Sequence, residues 1–382
     1  MTHSAADVVI VGGGFMGAAA AFFLRRRGRS VILLDSDRIG RQASGTNFGN
    51  VRRQGRPLNQ LPLANRSREI WGRLPQLVGE DCEFVQRGHV RVCFDEDMAA
   101  ELEAYARSAR DYGLDLNLMT AAQVRERFGF LGPKVVAGSL APVDGHANPR
   151  LAAPAFARAA ARAGAAICEN AKVVSAAKVG DDFEVVVEDG RAFRAPALLV
   201  TAGAWAAPFA AAFGEMVPYQ VKGPQMSVTE PAPYFLGPSV GVATKIADEV
   251  VYFRQVTRGN IVIGGPRHGP ASVETRHAKV LPENTLAQLS QMRPLLPLLE
   301  RLRIIRVWSG VECYLPDSQP VMGRSDRVSG LFYAFGFSGA GFQLGPGVGD
   351  VMAELIDSGR TSTPIDAFSI RRFSNTACAG VA

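Results

Sequence analysis

A glycine-rich turn between an apolar strand and a helix constrains this chain more than any other feature. Residues 7–11 form an apolar, β-rich run, and Gly12, Gly14 and Gly17 follow it with the spacing Gly-x-Gly-x-x-Gly. Residues 15–27 have the composition of a helix. The first two glycines permit a tight turn and the close approach of a pyrophosphate, and the third lets the helix pack on the strand. We expect the pyrophosphate at the helix N-terminus, where free N–H groups and the helix dipole favour negative charge.

An acidic residue completes this pattern. Residues 31–34 form a second apolar strand that ends at Asp35. A carboxylate in that position can accept hydrogen bonds from a ribose hydroxyl. We therefore predict a dinucleotide-binding unit, in preference to a glycine-rich turn of an unrelated α/β fold. The residues predicted to contact the dinucleotide here are Gly12, Gly14, Phe15, Met16, Gly17, Asp35 and Ser36.

Length and composition indicate a globular protein of about two domains. The chain has 382 residues, of which 47% are hydrophobic and 20% are charged, and its formal net charge is +6. The basic residues are mostly Arg and are scattered, so no run of Lys or Arg favours nucleic-acid binding.

The cysteines predict neither a metal site nor a disulfide framework. All five are widely spaced, without a Cys-x-x-Cys pair or a Cys/His cluster. This usage favours a reducing compartment. A strand begins within a few residues of Met1, so we expect no signal peptide, and no apolar run is long enough to cross a bilayer. We expect a cytoplasmic protein, with peripheral docking at the inner membrane as an open alternative.

Hydrophobic periodicity predicts interleaved helices and strands without a repeat or a low-complexity linker. Helices are expected over residues 58–78, 96–112, 150–163, 282–299 and 348–358. Alternation predicts a hairpin of residues 84–85 and 90–94, and a meander of residues 173–179, 184–187 and 193–195. Further strands are expected at residues 197–201, 250–253, 261–263 and 331–335.

Six motifs follow one another along nearly the whole chain. They are the N-terminal Gly-x-Gly-x-x-Gly, Gly-Arg-Gln-Ala-Ser-Gly at 40–45, Asp-Gly-His-Ala-Asn-Pro at 144–149, Thr-Ala-Gly-Ala-Trp at 201–205, the segment 308–323, and the glycine-rich segment 336–346. In this order they resemble the D-amino-acid oxidase superfamily of FAD enzymes, which includes glycine oxidase, sarcosine oxidase and D-amino-acid dehydrogenase.

The resemblance implies an α/β (α+β) fold with a discontinuous FAD-binding domain. The Rossmann-like FAD domain is expected to comprise residues 1–80, 141–215 and 306–382. A substrate domain with a mixed or antiparallel sheet is expected to be inserted as residues 81–140 and 216–305.

The resemblance also implies where the FAD is held. Beyond the first β-α-β unit, the implied cofactor residues are Arg41, Ser44, Gly45, Asn47, Asn50, Val173, Thr201, Ala202, Gly203, Trp205, Gly310, Gly339, Gly341, Phe342, Gln343 and Leu344. Cys313 is offset from the position where sarcosine oxidases carry a flavin-linked cysteine, so we expect FAD to be bound non-covalently.

Residues 47–56 and 335–349 resemble a narrower group. That group comprises the β subunits of bacterial opine oxidases and of D-hydroxyproline or proline dehydrogenases. The resemblance implies partner subunits for electron transfer, and a second flavin at a subunit interface is a further implication.

The substrate side departs from glycine oxidase. In glycine oxidase-like sequences an Arg follows the Trp-x-Gly-x element, whereas this chain has Glu312 there. Glu312 is therefore a candidate partner for a substrate amine, and Tyr252 is the candidate hydroxyl contact. The substrate carboxylate would then be bound by an Arg from another part of the chain, because a guanidinium group can donate two parallel hydrogen bonds to a carboxylate. The candidates are Arg254, Arg267 with His268, or Arg52, Arg53 and Arg56.

These residues lead to an expected function with alternatives. The leading hypothesis is an FAD-dependent amine or amino-acid oxidoreductase, either a dehydrogenase or an oxidase. It would move a hydride from the Cα of a D-amino acid, an imino acid such as hydroxyproline, or an opine to flavin N5, giving an imine that hydrolyses. One alternative is a component of a multi-subunit opine or hydroxyproline dehydrogenase that is inactive alone. Another is a 2-hydroxyacid oxidase that uses His268 as its base.

Overall fold

The computed structural model describes residues 3–374, over which ten α-helices and 22 β-strands are distributed. The helices are α1 Phe15–Arg26, α2 Ala43–Thr46, α3 Leu61–Trp71, α4 Leu74–Val78, α5 Glu96–Arg110, α6 Ala121–Arg127, α7 Pro149–Arg162, α8 Ala206–Ala212, α9 Pro282–Leu295 and α10 Gly341–Ser358. The strands are β1 His3–Ala5, β2 Val8–Val11, β3 Val31–Leu34, β4 Asn50–Val51, β5 His89–Cys93, β6 Asn117–Thr120, β7 Ala137–Ala141, β8 Gly145–His146, β9 Ala166–Cys168, β10 Val173–Val179, β11 Asp182–Val187, β12 Ala192–Ala195, β13 Ala197–Val200, β14 Gln220–Pro231, β15 Ser239–Val242, β16 Tyr252–Gln255, β17 Asn260–Ser272, β18 His277–Ala278, β19 Ile304–Ser309, β20 Glu312–Tyr314, β21 Val321–Arg324 and β22 Leu331–Phe335. Cys378 and the end of the predicted segment 306–382 lie outside the described residues.

The first β-α-β unit forms the centre of a six-stranded sheet with the order β21-β22-β13-β2-β3-β9. Five of these strands run parallel, and β21 is antiparallel to β22. Side chains alternate along β2: Val8 and Ile10 join a core with α1, α3, α7 and α10, whereas Val9 and Val11 face the opposite side. Coverage on both faces is the physical reason that these strands read as unbroken apolar runs.

The opposite face is covered by a four-stranded sheet with the order β1-β12-β11-β10. Phe183, Val185 and Val187 of β11 pack in one core with Val9 and Val11 of β2. The meander predicted from turns and alternation is confirmed.

A third sheet has ten strands, and β14 and β17 form its long antiparallel centre. Its main path is β19-β14-β17-β16-β15-β5-β7-β6, with β18 paired to β17 and β20 paired to β14. The pairing of β20 with β14 places Glu312 opposite Lys222. The polar side chains of the candidate site therefore lie between this sheet and the N-terminal unit.

The predicted hairpin of residues 84–85 and 90–94 is wrong. β5 pairs with β7 and β15, while Val85 forms a bridge with His146 instead. Four of the five β5 residues are buried. A strand buried in this way gains more from two neighbouring strands inside the sheet than from a short local partner at its edge.

Three predicted helices have clearly different bounds in the structure. The helix predicted over 282–299 ends at Leu295, and a 3-10 turn of residues Pro297–Arg301 follows it. The predicted helix 58–78 is divided into a short 3-10 turn, α3 and α4, and Pro62 and Pro75 lie in the first turns of the two helices. Proline is tolerated there because its missing N–H would have no partner within the helix. The last helix, predicted over 348–358, begins at Gly341.

Candidate active site

Two cavities meet at Ser44 between the N-terminal unit and the large sheet. The first, about 490 Å³, is the glycine-loop cleft, and the second, about 420 Å³, is the polar cavity. Predicted residues that line the glycine-loop cleft are Gly12, Gly14, Asp35, Ser36, Arg41, Ser44, Val173, Thr201, Ala202, Gly203 and Trp205. Predicted residues that line the polar cavity are Phe15, Met16, Ser44, Asn47, Asn50, Arg52, Arg56, Tyr252, His268, Gly310, Glu312, Gly339, Gly341, Phe342 and Gln343.

The glycines of the first turn have separate roles. A Cβ on Gly12 would lie 2.6 Å from the carbonyl oxygen of Thr201, and one on Gly17 would clash with the carbonyl oxygen of Gly12. Gly17 therefore serves the packing of helix on strand and does not line the cleft. Gly14 is the N-cap of α1, and a Cβ there would meet only Ser44 Oγ, at 3.1 Å. The space above Gly14 is thus free for a phosphate beside the helix N-terminus.

Asp35 closes the turn and also faces the cleft. Its Oδ2 accepts a hydrogen bond from the Gly13 N–H at 2.6 Å, and its Oδ1 accepts one from the Asp37 N–H at 2.8 Å. Burial raises the pKa of this carboxyl, against the effect of those hydrogen bonds. Since each carboxylate oxygen can accept more than one hydrogen bond, Asp35 retains capacity for a ligand hydroxyl.

Ser44 and Asn47 shape the junction of the two cavities. Ser44 Oγ accepts a hydrogen bond from the Phe15 N–H at 2.8 Å. Asn47 Nδ2 donates to the Ser44 carbonyl at 2.9 Å, and its Oδ1 accepts from the Gly49 N–H at 2.8 Å. Gly45 does not line either cavity, because a Cβ there would clash with the carbonyl oxygen of Gly40.

Sequence reasoning missed three basic residues at the glycine-loop cleft, namely Arg38, Lys172 and Arg276. The Arg276 guanidinium lies 5.6 Å from the centre of the Trp205 ring, and its Nη2 is 3.5 Å from Asp37 Oδ2. No sequence motif marks Arg276, since it comes from a loop after β17. Its place at the cleft follows from tertiary structure alone.

The glycine-rich run is mainly a helix-packing feature beyond Gly341. A Cβ on Gly345 would clash with the Phe15 ring, one on Gly347 would lie 2.7 Å from Ser67 Cβ, and one on Gly349 would clash with Ala19. Leu344 is fully buried in the core and lines neither cavity. Gly345, Gly347 and Gly349 therefore let α10 approach α1 and α3 closely.

One wall of the polar cavity carries a hydrogen-bonded carboxyl. Glu312 Oε2 accepts from the Tyr314 hydroxyl at 3.0 Å, and Oε1 accepts from the Gly339 N–H at 3.0 Å. Burial raises the pKa of Glu312 against the lowering effect of both hydrogen bonds. The Tyr314 hydroxyl also lies 3.5 Å from His268 Nε2, and burial together with the nearby Lys222 lowers the pKa of His268.

Another wall carries three guanidinium groups, from Arg52, Arg56 and Arg91. Burial, followed by repulsion from Arg52, lowers the pKa of Arg56 to about 9 and that of Arg91 to about 10. Arg91 and the neighbouring His89 were missed by sequence reasoning. A signal existed in the sequence, because Arg91 is the one charged residue in the apolar run 90–94.

Tyr252 lies between these two walls. Burial and the charge of Glu312 raise the pKa of Tyr252, whereas the charge of Arg52 lowers it. Its ring meets that of Phe48 edge-on at a centroid distance of 4.8 Å. One cavity thus presents a carboxyl group and guanidinium groups on either side of a tyrosine.

Three candidate clamp residues lie elsewhere. Arg254 is buried but does not line the polar cavity: its Nε donates to the Phe48 carbonyl at 2.7 Å, and its Nη1 lies 3.3 Å from His146 Nδ1. Arg53 forms a buried ion pair with Asp144 at 2.9 Å. Arg267 is exposed and lines neither cavity. Arg254 therefore positions the loop at Phe48 and does not line this cavity.

Neither a metal cluster nor a membrane span is found in residues 3–374. The described His, Cys, Asp and Glu side chains form no group of three or more that could hold a metal ion. None of the described helices combines the length and apolarity needed to cross a bilayer.

Comparison with known proteins identifies relatives across most of the chain. Residues 7–355 match the family model described as FAD dependent oxidoreductase (DAO). The chain is 29% identical to glycine oxidase from Geobacillus kaustophilus, covering 82% of this chain and 81% of that protein. It is 28% identical to one of the subunits of opine oxidase from Rhizobium meliloti, covering 91% of this chain and 92% of that protein.

The fold is also that of solved structures. L-proline dehydrogenase from P. horikoshii superimposes with a TM-score of 0.91 and 25% identity, covering 98% of this chain and 99% of that one. Other curated relatives are much longer, and the chain spans less than half of the length of at least four of them.

Proposed function

This chain belongs to the DAO family of FAD-dependent oxidoreductases, and from that premise we propose that it oxidises a carboxylate-bearing amine in the polar cavity. The chain is an enzyme of a family whose members act on CH–NH donors, and FAD is its cofactor.

The residues present fit FAD. The open space above Gly14, the acceptor capacity of Asp35 and the junction at Ser44 suit a long dinucleotide that extends from the glycine-loop cleft to the polar cavity. When bound, FAD supplies the two-electron acceptor for the oxidation. The chain contributes binding, orientation and proton transfer.

The observation that carries the proposal is the separation of charge across Tyr252. Glu312 and Arg52 both act electrostatically on this tyrosine, with opposite signs. An amino or imino acid has the complementary arrangement, with a basic nitrogen on one side and a carboxylate on the other. Arg52 would bind the carboxylate, because a guanidinium fork matches it in geometry and charge.

Glu312, Tyr314 and His268 form a path for the proton of the amine. The Glu312 carboxylate would accept it, and Tyr314 bridges Glu312 to His268. The lowered pKa of His268 keeps its imidazole neutral near pH 7, so it can receive a proton. Loss of two electrons and one proton from C–H, with one proton from N–H, converts the amine into an imine. Water then hydrolyses the imine to a carbonyl compound and a free amine.

The first test is anaerobic bleaching of the flavin absorption of the purified holoenzyme. The panel comprises D-amino acids, D-hydroxyproline, L-proline, sarcosine, octopine, nopaline and 2-hydroxyglutarate. Bleaching by an amine at a rate at least as fast as turnover supports the proposal. Bleaching by 2-hydroxyglutarate alone would instead favour the 2-hydroxyacid oxidase alternative.

Replacing Glu312 with Gln is expected to move the acidic limb of the pH profile of kcat/KM. In the wild type, activity falls as pH decreases through the pKa of Glu312, which burial raises above 4.5, because the proton acceptor becomes protonated. In Glu312→Gln only the neutral amine reacts, so the limb moves towards the pKa of the free amine, about 8 to 10. We expect a loss of about 10- to 100-fold at pH 7 and little loss above that amine pKa.

The control is Glu283→Gln, at an exposed residue in the first turn of α9. It should leave the profile unchanged. A Glu312→Gln profile that coincides with the wild-type profile would remove Glu312 from the proton path.

A second candidate is the same chemistry within a multi-subunit assembly. Its support is the match to a protein whose name makes it one of the subunits of opine oxidase, over nearly the full length of both chains. Partner subunits would then accept the electrons, and a second flavin could lie at the interface between subunits. The test compares oxygen with an artificial electron acceptor: bleaching without aerobic turnover by the isolated chain would favour this version.

A further inference from the structure

We propose that the substrate carries two carboxylates, of which Arg52 binds the one next to the reacting carbon and Arg91 binds the other. This inference rests on the proposed function and names the chemical class of its substrate. The class is an amine with two carboxylate arms, such as an imino-diacid or an N-carboxyalkyl amino acid.

Two guanidinium groups, those of Arg52 and Arg91, lie side by side in the cavity. A Cβ built on Gly55 would lie 2.6 Å from Arg91 Nη1 and 3.4 Å from Arg52 Nη1. Gly55 has a positive φ of 73° and leaves room for both groups. The two cations therefore approach the same glycine from different parts of the chain.

The guanidinium groups on this wall have no carboxylate partner among the described residues. Over residues 3–374, no carboxylate forms an ion pair with Arg52, Arg56 or Arg91. Asp144 acts electrostatically on Arg52 and Arg56, but it is fully buried and bonded to Arg53. Glu101 acts on Arg91, but it forms its ion pair with Lys245. Buried charges in proteins are normally paired, so this wall favours an anionic ligand.

The three arginine side chains differ in how many hydrogen bonds they already donate within the protein. Arg56 donates to the carbonyls of Arg52 and Ala340, each at 3.0 Å, and to the Gln60 side chain. The Arg52 guanidinium donates to one carbonyl, that of Gln54, and the Arg91 guanidinium donates to no acceptor within the described chain. The Arg56 guanidinium thus stabilises the protein structure, whereas the guanidinium groups of Arg52 and Arg91 retain donors for a ligand.

The charges of the cavity walls favour a ligand with two carboxylates over a ligand with one. The pKa of His89 is lowered by burial and by both arginines, so its ring is neutral and adds no charge. Glu312 lies on the other wall, where it accepts hydrogen bonds from Tyr314 and Gly339 and forms no ion pair with these arginines. A monocarboxylate would leave one of the two free guanidinium groups unpaired, whereas a dicarboxylate pairs both.

Tyr252 assigns the two carboxylates to their arginines. Gly241 of β15 pairs with Tyr252 on one side and with Arg91 on the other, so Arg91 lies two strands away from Tyr252, whereas Arg52 is close enough to act electrostatically on this tyrosine. Arg52 is therefore nearer to the wall that carries Glu312, where the amine binds. Arg91 is further along the cavity, beside His89, and meets the second arm.

The test measures binding without turnover. The holoenzyme is titrated with glutarate and with pentanoate, which have the same number of carbons but two and one carboxylates, and the flavin spectrum reports binding. We expect Kd for glutarate to be at least about tenfold lower. In Arg91→Met this preference should disappear while Kd for pentanoate changes little; Arg107→Met, at an exposed residue of α5, should retain it.

Two results overturn the inference. One is an equal Kd for the two acids in the wild type, which needs no variant to fold. The other is an Arg91→Met or Arg91→Gln variant with normal FAD content in which both acids weaken equally, because Arg91 would then share a single carboxylate with Arg52.

Turnover separates this inference from the proposed function. Iminodiacetate and N-ethylglycine differ in one carboxylate arm and are compared in anaerobic bleaching. A glutarate preference without bleaching by any amine would support the dianion site and contradict amine oxidation. Bleaching by N-ethylglycine as efficient as by iminodiacetate would overturn the dicarboxylate inference and leave amine oxidation standing.

Discussion

Arg52→Met is expected to lower kcat/KM by about 100- to 1,000-fold for any amine that bleaches the flavin. Truncating one partner of a buried, hydrogen-bonded charge pair costs about 2–5 kcal/mol, and each 1.4 kcal/mol is about tenfold. Met retains much of the apolar volume of the Arg side chain but cannot bind a carboxylate. Steady-state kinetics with the best substrate of the panel measures the effect, and most of it should be in KM.

The matched control is Arg87→Met, at an exposed arginine near the start of β5 whose guanidinium stacks on Tyr234. It should leave kcat/KM within about twofold of the wild type. FAD content is measured for both variants, because loss of the cofactor would imitate loss of the carboxylate site. An Arg52→Met enzyme with full FAD content and normal KM would contradict the assigned role.

Gly14→Ala is expected to weaken FAD binding by about 10- to 100-fold. The added methyl group would meet Ser44 Oγ at 3.1 Å and would occupy the space above the α1 N-terminus. Overpacking of this kind costs about 1–3 kcal/mol. The backbone of Gly14 is extended, with φ −66° and ψ −176°, so alanine adopts it without strain. The measurement is the FAD-dependent increase in Tm, since a ligand that binds the folded state raises its stability.

Gly237→Ala is the control for this prediction. A Cβ there would meet only Arg87 Cδ, at 3.8 Å, and the residue lies outside both cavities. Without FAD, all three proteins should unfold at about the same Tm. A Gly14→Ala protein whose Tm rises with FAD as much as that of the wild type would show that the pyrophosphate is not bound at this turn.

Local signals predicted the nucleotide-binding half of the molecule well. The glycine spacing, the two flanking strands and the acid at Asp35 are consecutive in the chain, and their arrangement depends on backbone sterics and apolar burial. The same holds for the meander, whose turns and alternation specify its register. Site residues that belong to the β-α-β unit, such as Gly14 and Asp35, accordingly line the cleft.

The substrate half was predicted less well because its strands pair over long distances. The hairpin expected at residues 84–94 does not form, since β5 is enclosed by β7 and β15. That enclosure brings Arg91 to the polar cavity. Arg254 was proposed from its proximity to Tyr252 in sequence. Strand alternation puts both side chains on one face, but Arg254 lies two residues further along β16, where the Phe48 carbonyl and His146 are its partners.

By itself, the sequence determined the dinucleotide-binding unit, the order of the family motifs and the presence of Glu312 in place of an arginine. Only the tertiary structure decided which charges share one cavity. Arg52 follows β4, Arg91 lies on β5 and Glu312 lies on β20, and pairing between distant strands brings them around Tyr252. Periodicity shows which face of a strand is buried, but the partner across a cavity depends on the packing of whole sheets.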